Sequence, residues 1–184
     1  MKFLPLWIVL GVLGLVGVSC FSSYVEYRNM GATAEVGIKT QYENMQNVLS
    51  GYSLKVAEAA QVPAMYKNGL IEVAKAAIQG RYGANGSQAT MQWLKEQNPN
   101  LDPTLYLKIE QIIEGGRDNF QTEQTKFIDT KRSYETQLAL FWSGFWLKTA
   151  GYPKIDLAQY KTITSEHAND AFKTGVDTGI KLPQ

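Results

Sequence analysis

The chain has 184 residues, 18 basic and 17 acidic, for a net charge of +1. That balance excludes a global field that would gather nucleic acid or an acidic substrate. One cysteine, Cys20, and one histidine, His167, exclude a disulfide framework and a clustered metal site, so neither a metal nor a cofactor is expected.

The first predicted element is an apolar segment. From Phe3 to Phe21 no residue carries a charge. At 1.5 Å per residue this run makes about 28 Å of helix, close to the hydrocarbon thickness of a bilayer. Its anchoring side chains are Phe3, Leu4, Leu6, Trp7, Ile8, Val9, Leu10, Val12, Leu13, Leu15, Val16 and Val18. Pro5 falls in the first turn, where its missing N–H costs little. Lys2 precedes the run, and Glu26 and Arg28 follow it. By the positive-inside rule the N-terminus is then cytoplasmic and the remainder extracytoplasmic, on the periplasmic side. Three readings stay open, in this order. The segment is a retained single-pass anchor, or a lipoprotein signal ending in Gly17-Val18-Ser19-Cys20 with Cys20 acylated, or a signal peptide that is removed.

Beyond the segment, Tyr27, Met30, Ala34, Ile38, Tyr42, Met45, Leu49, Tyr52, Val56 and Ala60 recur at three- and four-residue steps. That rhythm predicts one long amphipathic helix, stopped by Pro63. The polar residues Glu35, Lys39, Gln41, Glu43, Asn44, Gln46 and Asn47 largely avoid the stripe. Gly31, Gly37 and Gly51 each weaken a helix interior by about 1 kcal/mol, and glycine also lets a neighbouring helix come close.

Pro63 opens a second helix with Tyr66, Leu70, Val73 and Ala77 on one face, ending near Gly80. Residues 80–86 have turn composition but lack the lysine of a phosphate loop. Ser87 caps a short helix through Trp93 and Leu94 to Gln97, and residues 98–103 form a loop. A last long helix follows, with the seam Leu105, Ile109, Ile112, Gly116, Phe120, Phe127, Tyr134, Leu138, Phe141 and Phe145, interrupted by Glu123 and Thr130. Glu110 with Glu114, and Asp129 with Arg132 and Arg117, resemble catalytic or ion-paired groups on paper. No nucleophile or histidine joins them, and such pairs on a helix face are ordinarily solvated.

Leu138 to Trp146 (LALFWSGFW) is apolar on more than one face and too short to span a bilayer. Core packing is the first expectation. The alternative is an interfacial or partner-binding patch made of Phe141, Trp142, Phe145 and Trp146. Gly151-Tyr152-Pro153 ends the helix. Ile155, Leu157 and Tyr160 are spaced for a short apolar contact, and Thr164 or Ser165 starts a short helix through Phe172 that carries His167.

The order of these elements resembles the LemA family of bacterial and phage proteins. The resemblance rests on the N-terminal anchor followed by Tyr24 or Tyr27, on residues 41–49 (QYENMQNVL), on residues 131–138 (KRSYETQL), and on residues 151–157 (GYPKIDL) with 163–166 (ITSE). Where that family has paired arginines this chain has Asn44 and Met45, and Ser50 replaces a proline. The resemblance implies an antiparallel helical bundle fixed to a membrane by its N-terminus. It implies no reaction.

The expected fold is therefore all-α: an antiparallel bundle of three or four long helices with an N-terminal transmembrane helix. Residues 1–23 form the anchor or lipoprotein signal, 24–153 the bundle, and 154–184 a tail with a short helix. The expected function is a membrane-anchored interaction or scaffold protein without catalytic activity. The alternative is a cell-envelope lipoprotein acylated at Cys20. Expected partners are membrane lipid and either another protein or a second copy of the chain, with no nucleic acid and no metal.

Overall fold

The computed structural model describes residues 4–62, 64–80, 86–97, 103–163 and 173–175. Among these the chain is all-helical: α1 (Leu4–Ala59), α2 (Ala64–Ile78), α3 (Gly86–Gln97), α4 (Pro103–Ala139) and α5 (Phe141–Thr149). Two helices are long rather than the three or four expected; α2, α3 and α5 have 15, 12 and 9 residues. Two of the breaks have a local cause. Gly80 turns α2 off with φ of 76°, and Leu140 separates α5 from α4 in extended backbone (φ −65°, ψ 144°). The predicted helix from Thr164 to Phe172, and His167 with it, lies outside the described residues, as do residues 81–85 and 98–102 of the two predicted loops.

The chain forms two compact units. One comprises Met1–Thr40 with Phe127–Tyr160, the other Gln41–Lys126 with Lys161–Gln184. α1 and α4 each contribute residues to both.

In the second unit the periodic residues of α1 turn inward as their spacing requires. Met45, Val56, Ala57 and Ala60 are buried with Leu70, Ala74, Ala77 and Ile78 of α2, Leu94 of α3, and Ile109, Ile113 and Phe120 of α4. Small residues set the closest approaches. A Cβ at Gly116 would stand 3.0 Å from the Tyr52 Cβ, and one at Gly69 would stand 3.0 Å from the Trp93 ring. The Tyr52 hydroxyl accepts from Asn119 Nδ2 at 2.6 Å, so the ring is buried against α4 while its polar end stays bonded. Arg117 donates to the Ala77 carbonyl at 3.2 Å, which also accepts from the Gly80 N–H at 3.1 Å, and so sets a cation at the C-terminal end of α2. Just past the end of α1 stands Gln61, a non-glycine residue with φ of 49°.

In the first unit the buried set is Ile38 of α1, Phe127 and Tyr134 of α4, Leu147 of α5, and Tyr152 beyond it. The predicted seam of α4 holds as far as Tyr134 and half-buried Leu138, then fails. Phe141 and Phe145 are exposed, and Ser143, Gly144 and Leu147 face inward instead. The extended Leu140 changes the direction of the helix that follows, so the heptad phase of α4 does not carry over. The junction is closed by backbone and hydroxyl bonds. Ser143 Oγ donates to the Gln137 carbonyl at 2.7 Å, and Gly144 N donates to the Leu140 carbonyl at 2.8 Å. Any Cβ at position 144 would lie 2.5 Å from the Leu138 carbonyl oxygen, so only glycine fits there.

Candidate functional site

The first unit carries two features that ordinary core packing does not explain: a buried carboxylate, and a bare aromatic helix beside the apolar start of α1.

Glu35 lies one turn before Ile38 on the inward face of α1 and is 8% exposed. Its polar character predicted an outward position. The structure turns it inward because three donors converge on Oε1. These are the Tyr134 hydroxyl at 2.9 Å, the Lys154 backbone N–H at 2.6 Å, and the Ile155 N–H at 3.4 Å. A carboxylate tolerates burial when its lone pairs are filled in this way. The same arrangement acts on its partner. Burial raises the Tyr134 phenol well above its ordinary range, and the hydrogen bond to Glu35 and the nearby charges of Glu35 and Tyr152 push it further. Tyr152 completes the cluster. Its ring packs so closely on α1 that a Cβ at Gly31 would sit 2.8 Å from it, and Lys154 Nζ lies 4.5 Å from the ring centroid on another side. Gly31 thus admits a side chain of the segment after α5, where a neighbouring helix was expected. Lys131 Nζ donates to the Tyr160 carbonyl at 3.0 Å and holds the same segment further along.

This cluster joins α1, α4 and the 152–155 segment. It is a structural clasp. Sequence reasoning placed Tyr134 on the seam but missed its partner. The usable signal was the buried hydroxyl itself, which needs an acceptor, with one carboxylate in phase with Gly31 and Ile38.

The second feature is α5. Phe141 is 89% exposed, Trp142 and Phe145 each 55%, and the preceding Leu140 52%. Core packing therefore does not describe the outer face of this helix; of the four aromatics only Trp146 is half-buried. Trp142 and Trp146 meet edge to face at 5.8 Å, and Phe145 and Trp146 do so at 5.1 Å. The two tryptophans line a shallow apolar groove with Leu15, Val16, Ser19, Cys20 and Ser23 of α1. Cys20 is exposed at this groove.

The anchoring residues predicted from sequence lie in α1, except Phe3, which falls outside the described residues. Trp7, Ile8, Val9, Leu10, Val12, Leu13, Leu15, Val16 and Val18 are all at least half exposed. This apolar start of α1 is, among the described residues, the one stretch long and apolar enough to cross a membrane. The carboxylates considered for catalysis do not assemble. Glu114 and Asp129 are exposed, Glu110 is half-buried, and Arg117 is turned to a backbone carbonyl. Among the described residues no group of three or more His, Cys, Asp or Glu could hold a metal ion. Within the second unit an open cleft is lined by Lys55, Glu58, Gln61 and Lys108 with Ala59, Leu105 and Ile112.

No protein family, curated protein or solved structure matches the chain.

Proposed function

We propose that the chain is a membrane-anchored helical-bundle interaction or scaffold protein, resembling the LemA family and without catalytic activity. The observation that carries this reading is the bareness of α1 at its start: residues 7–22 are all exposed. A helix satisfies its own backbone and can stand in lipid, whereas an apolar surface of that length is unstable in water. Lys2 precedes the run and Arg28 follows it at a distance; in this reading the anchor crosses once and Lys2 holds the N-terminus in the cytoplasm, with the bundle on the periplasmic side.

An antiparallel arrangement of α1 and α4 is supported within the first unit, and their adjacency within the second. In the first, Glu35 meets Tyr134, and Gly37, two residues further along α1, faces Thr130. In the second, Tyr52 meets Gly116 and Asn119. Long polar helix faces and balanced charge suit a module that binds another protein or a second copy of itself.

Intact mass of the membrane-extracted protein, with Cys20→Ser alongside, tests the anchor. An unprocessed mass unchanged by the substitution supports the single span. A shortened, acylated species lost in the variant would instead make the chain an envelope lipoprotein modified at Cys20. Co-purification after mild detergent extraction tests the scaffold role, and recovery of a lone monomer would count against it.

A further inference from the structure

We propose that α5 is a second membrane-contact element, with the Phe141–Phe145 face lying in the lipid leaflet beside the end of the α1 anchor. The inference rests on the anchor reading above and gives the aromatic patch one partner, a lipid surface.

Depth is the first argument. Trp142 and Trp146 share their groove with Leu15, Val16, Ser19, Cys20 and Ser23. Leu15 precedes Phe21, the last residue of the apolar segment, by six residues, or about 9 Å of helix. The groove therefore extends from inside the hydrocarbon edge out to the headgroup level. Trp142, the exposed member of the pair, suits that zone, because a tryptophan ring is apolar and its N–H polar.

Composition is the second. α5 contains no acidic residue, and its single charge, Lys148, lies in the last turn, from which a long stem can reach the headgroups. Its hydroxyl at Ser143 is spent on the Gln137 carbonyl. The rings of Phe141, Trp142 and Phe145 dominate the outer face, and the carbonyls of the last turn are bonded within the chain, Trp146, Leu147 and Lys148 accepting from the N–H groups of Ala150, Tyr152 and Gly151.

Continuity is the third argument. The exposed ring of Trp142 adjoins the exposed flank of α1 at Leu15 and Val16. Lipid that surrounds α1 at this level meets α5 as well. A protein partner covering the patch would have to bind at membrane depth and displace that lipid. With α5 in the leaflet the first unit is held by two elements rather than one, which fixes its orientation relative to the bilayer.

The test uses the full-length chain in phosphatidylcholine–phosphatidylglycerol vesicles, in a Cys20→Ser background. A nitroxide is attached at Phe141→Cys or Phe145→Cys, with Leu13→Cys as the anchor reference and Gln111→Cys as the aqueous one. Oxygen concentrates in the bilayer and a nickel chelate stays in water. The expected ratio of oxygen to nickel accessibility is above one at positions 13, 141 and 145 and below one at 111. A label at 13 in lipid with 141 and 145 in water would overturn the inference and leave the anchor intact. Water access at 13 would overturn both. Labels at 141 and 145 closed to both reagents would mean protein cover, and would overturn the lipid assignment. Quenching of Trp142 and Trp146 by brominated lipid in a Trp7→Phe, Trp93→Phe chain checks the same depth without altering the patch; absence of quenching counts against it.

Discussion

Replacing Glu35 by alanine removes the acceptor for the Tyr134 hydroxyl and the Lys154 N–H, whose bonds of 2.9 and 2.6 Å are within the strong range, and for Ile155 N–H at a weaker 3.4 Å. A buried donor left without a partner costs about 1–3 kcal/mol. Relief of the carboxylate's own desolvation offsets part of the sum, so the expected loss is about 2–4 kcal/mol. Glu35→Gln keeps one acceptor oxygen and gives up only the charge, for about 1–2 kcal/mol. Tyr134→Phe removes one donor together with its need, for about 1 kcal/mol. Urea unfolding in a mild detergent, followed by helical circular dichroism, measures all three. The double variant Glu35→Gln, Tyr134→Phe then gives the coupling between the two side chains, expected near 1 kcal/mol. The order Ala, then Gln, then Phe is the signature of a clasp made by hydrogen bonds. An alanine variant as stable as the native chain would refute it, and so would a glutamine variant as damaged as alanine.

The raised Tyr134 phenol makes a pH prediction of fixed sign. The folded chain holds that proton more tightly than the unfolded one. Its contribution is therefore complete below pH ~10, the ordinary tyrosine value, and declines above it by at most about 1.4 kcal/mol per pH unit. Urea midpoints at alkaline pH should fall more steeply for the native chain than for Tyr134→Phe. Glycines separate by what surrounds them. Gly31→Ala drives a Cβ to 2.8 Å from the Tyr152 ring and should destabilise by about 1–3 kcal/mol. Gly51→Ala, in α1 with nothing within 4 Å, should stabilise by about 0.5–1 kcal/mol; thermal melts of the pair compare the two. Ser143→Ala loses the 2.7 Å bond across the α4–α5 junction and should cost about 1 kcal/mol, read by the same unfolding curves.

The helical class, the uncharged start, the long first helix and the seam as far as Tyr134 were legible in the chain itself. Periodicity of apolar residues reports which face a helix buries, and it needs no knowledge of what the face meets. The same reasoning went wrong where the backbone changed direction. Phe141 and Phe145 continue the spacing of α4 on paper, yet Leu140 in extended backbone begins a new helix with its own phase. The Ser143-Gly144 pair within an aromatic run was the available sign, since such pairs mark helix breaks. Glu35 was misplaced for a different reason. Polarity argues for solvent unless donors elsewhere in the chain arrive to meet it, and here Tyr134 and Lys154 are 99 and 119 residues away. Likewise Gly31 is a cost in an isolated helix and a requirement beside Tyr152. Local patterns therefore determined which segments are helical and which faces are apolar. Only tertiary structure decided which polar atom is buried and which aromatic is left bare, because both depend on contacts between residues far apart in the chain.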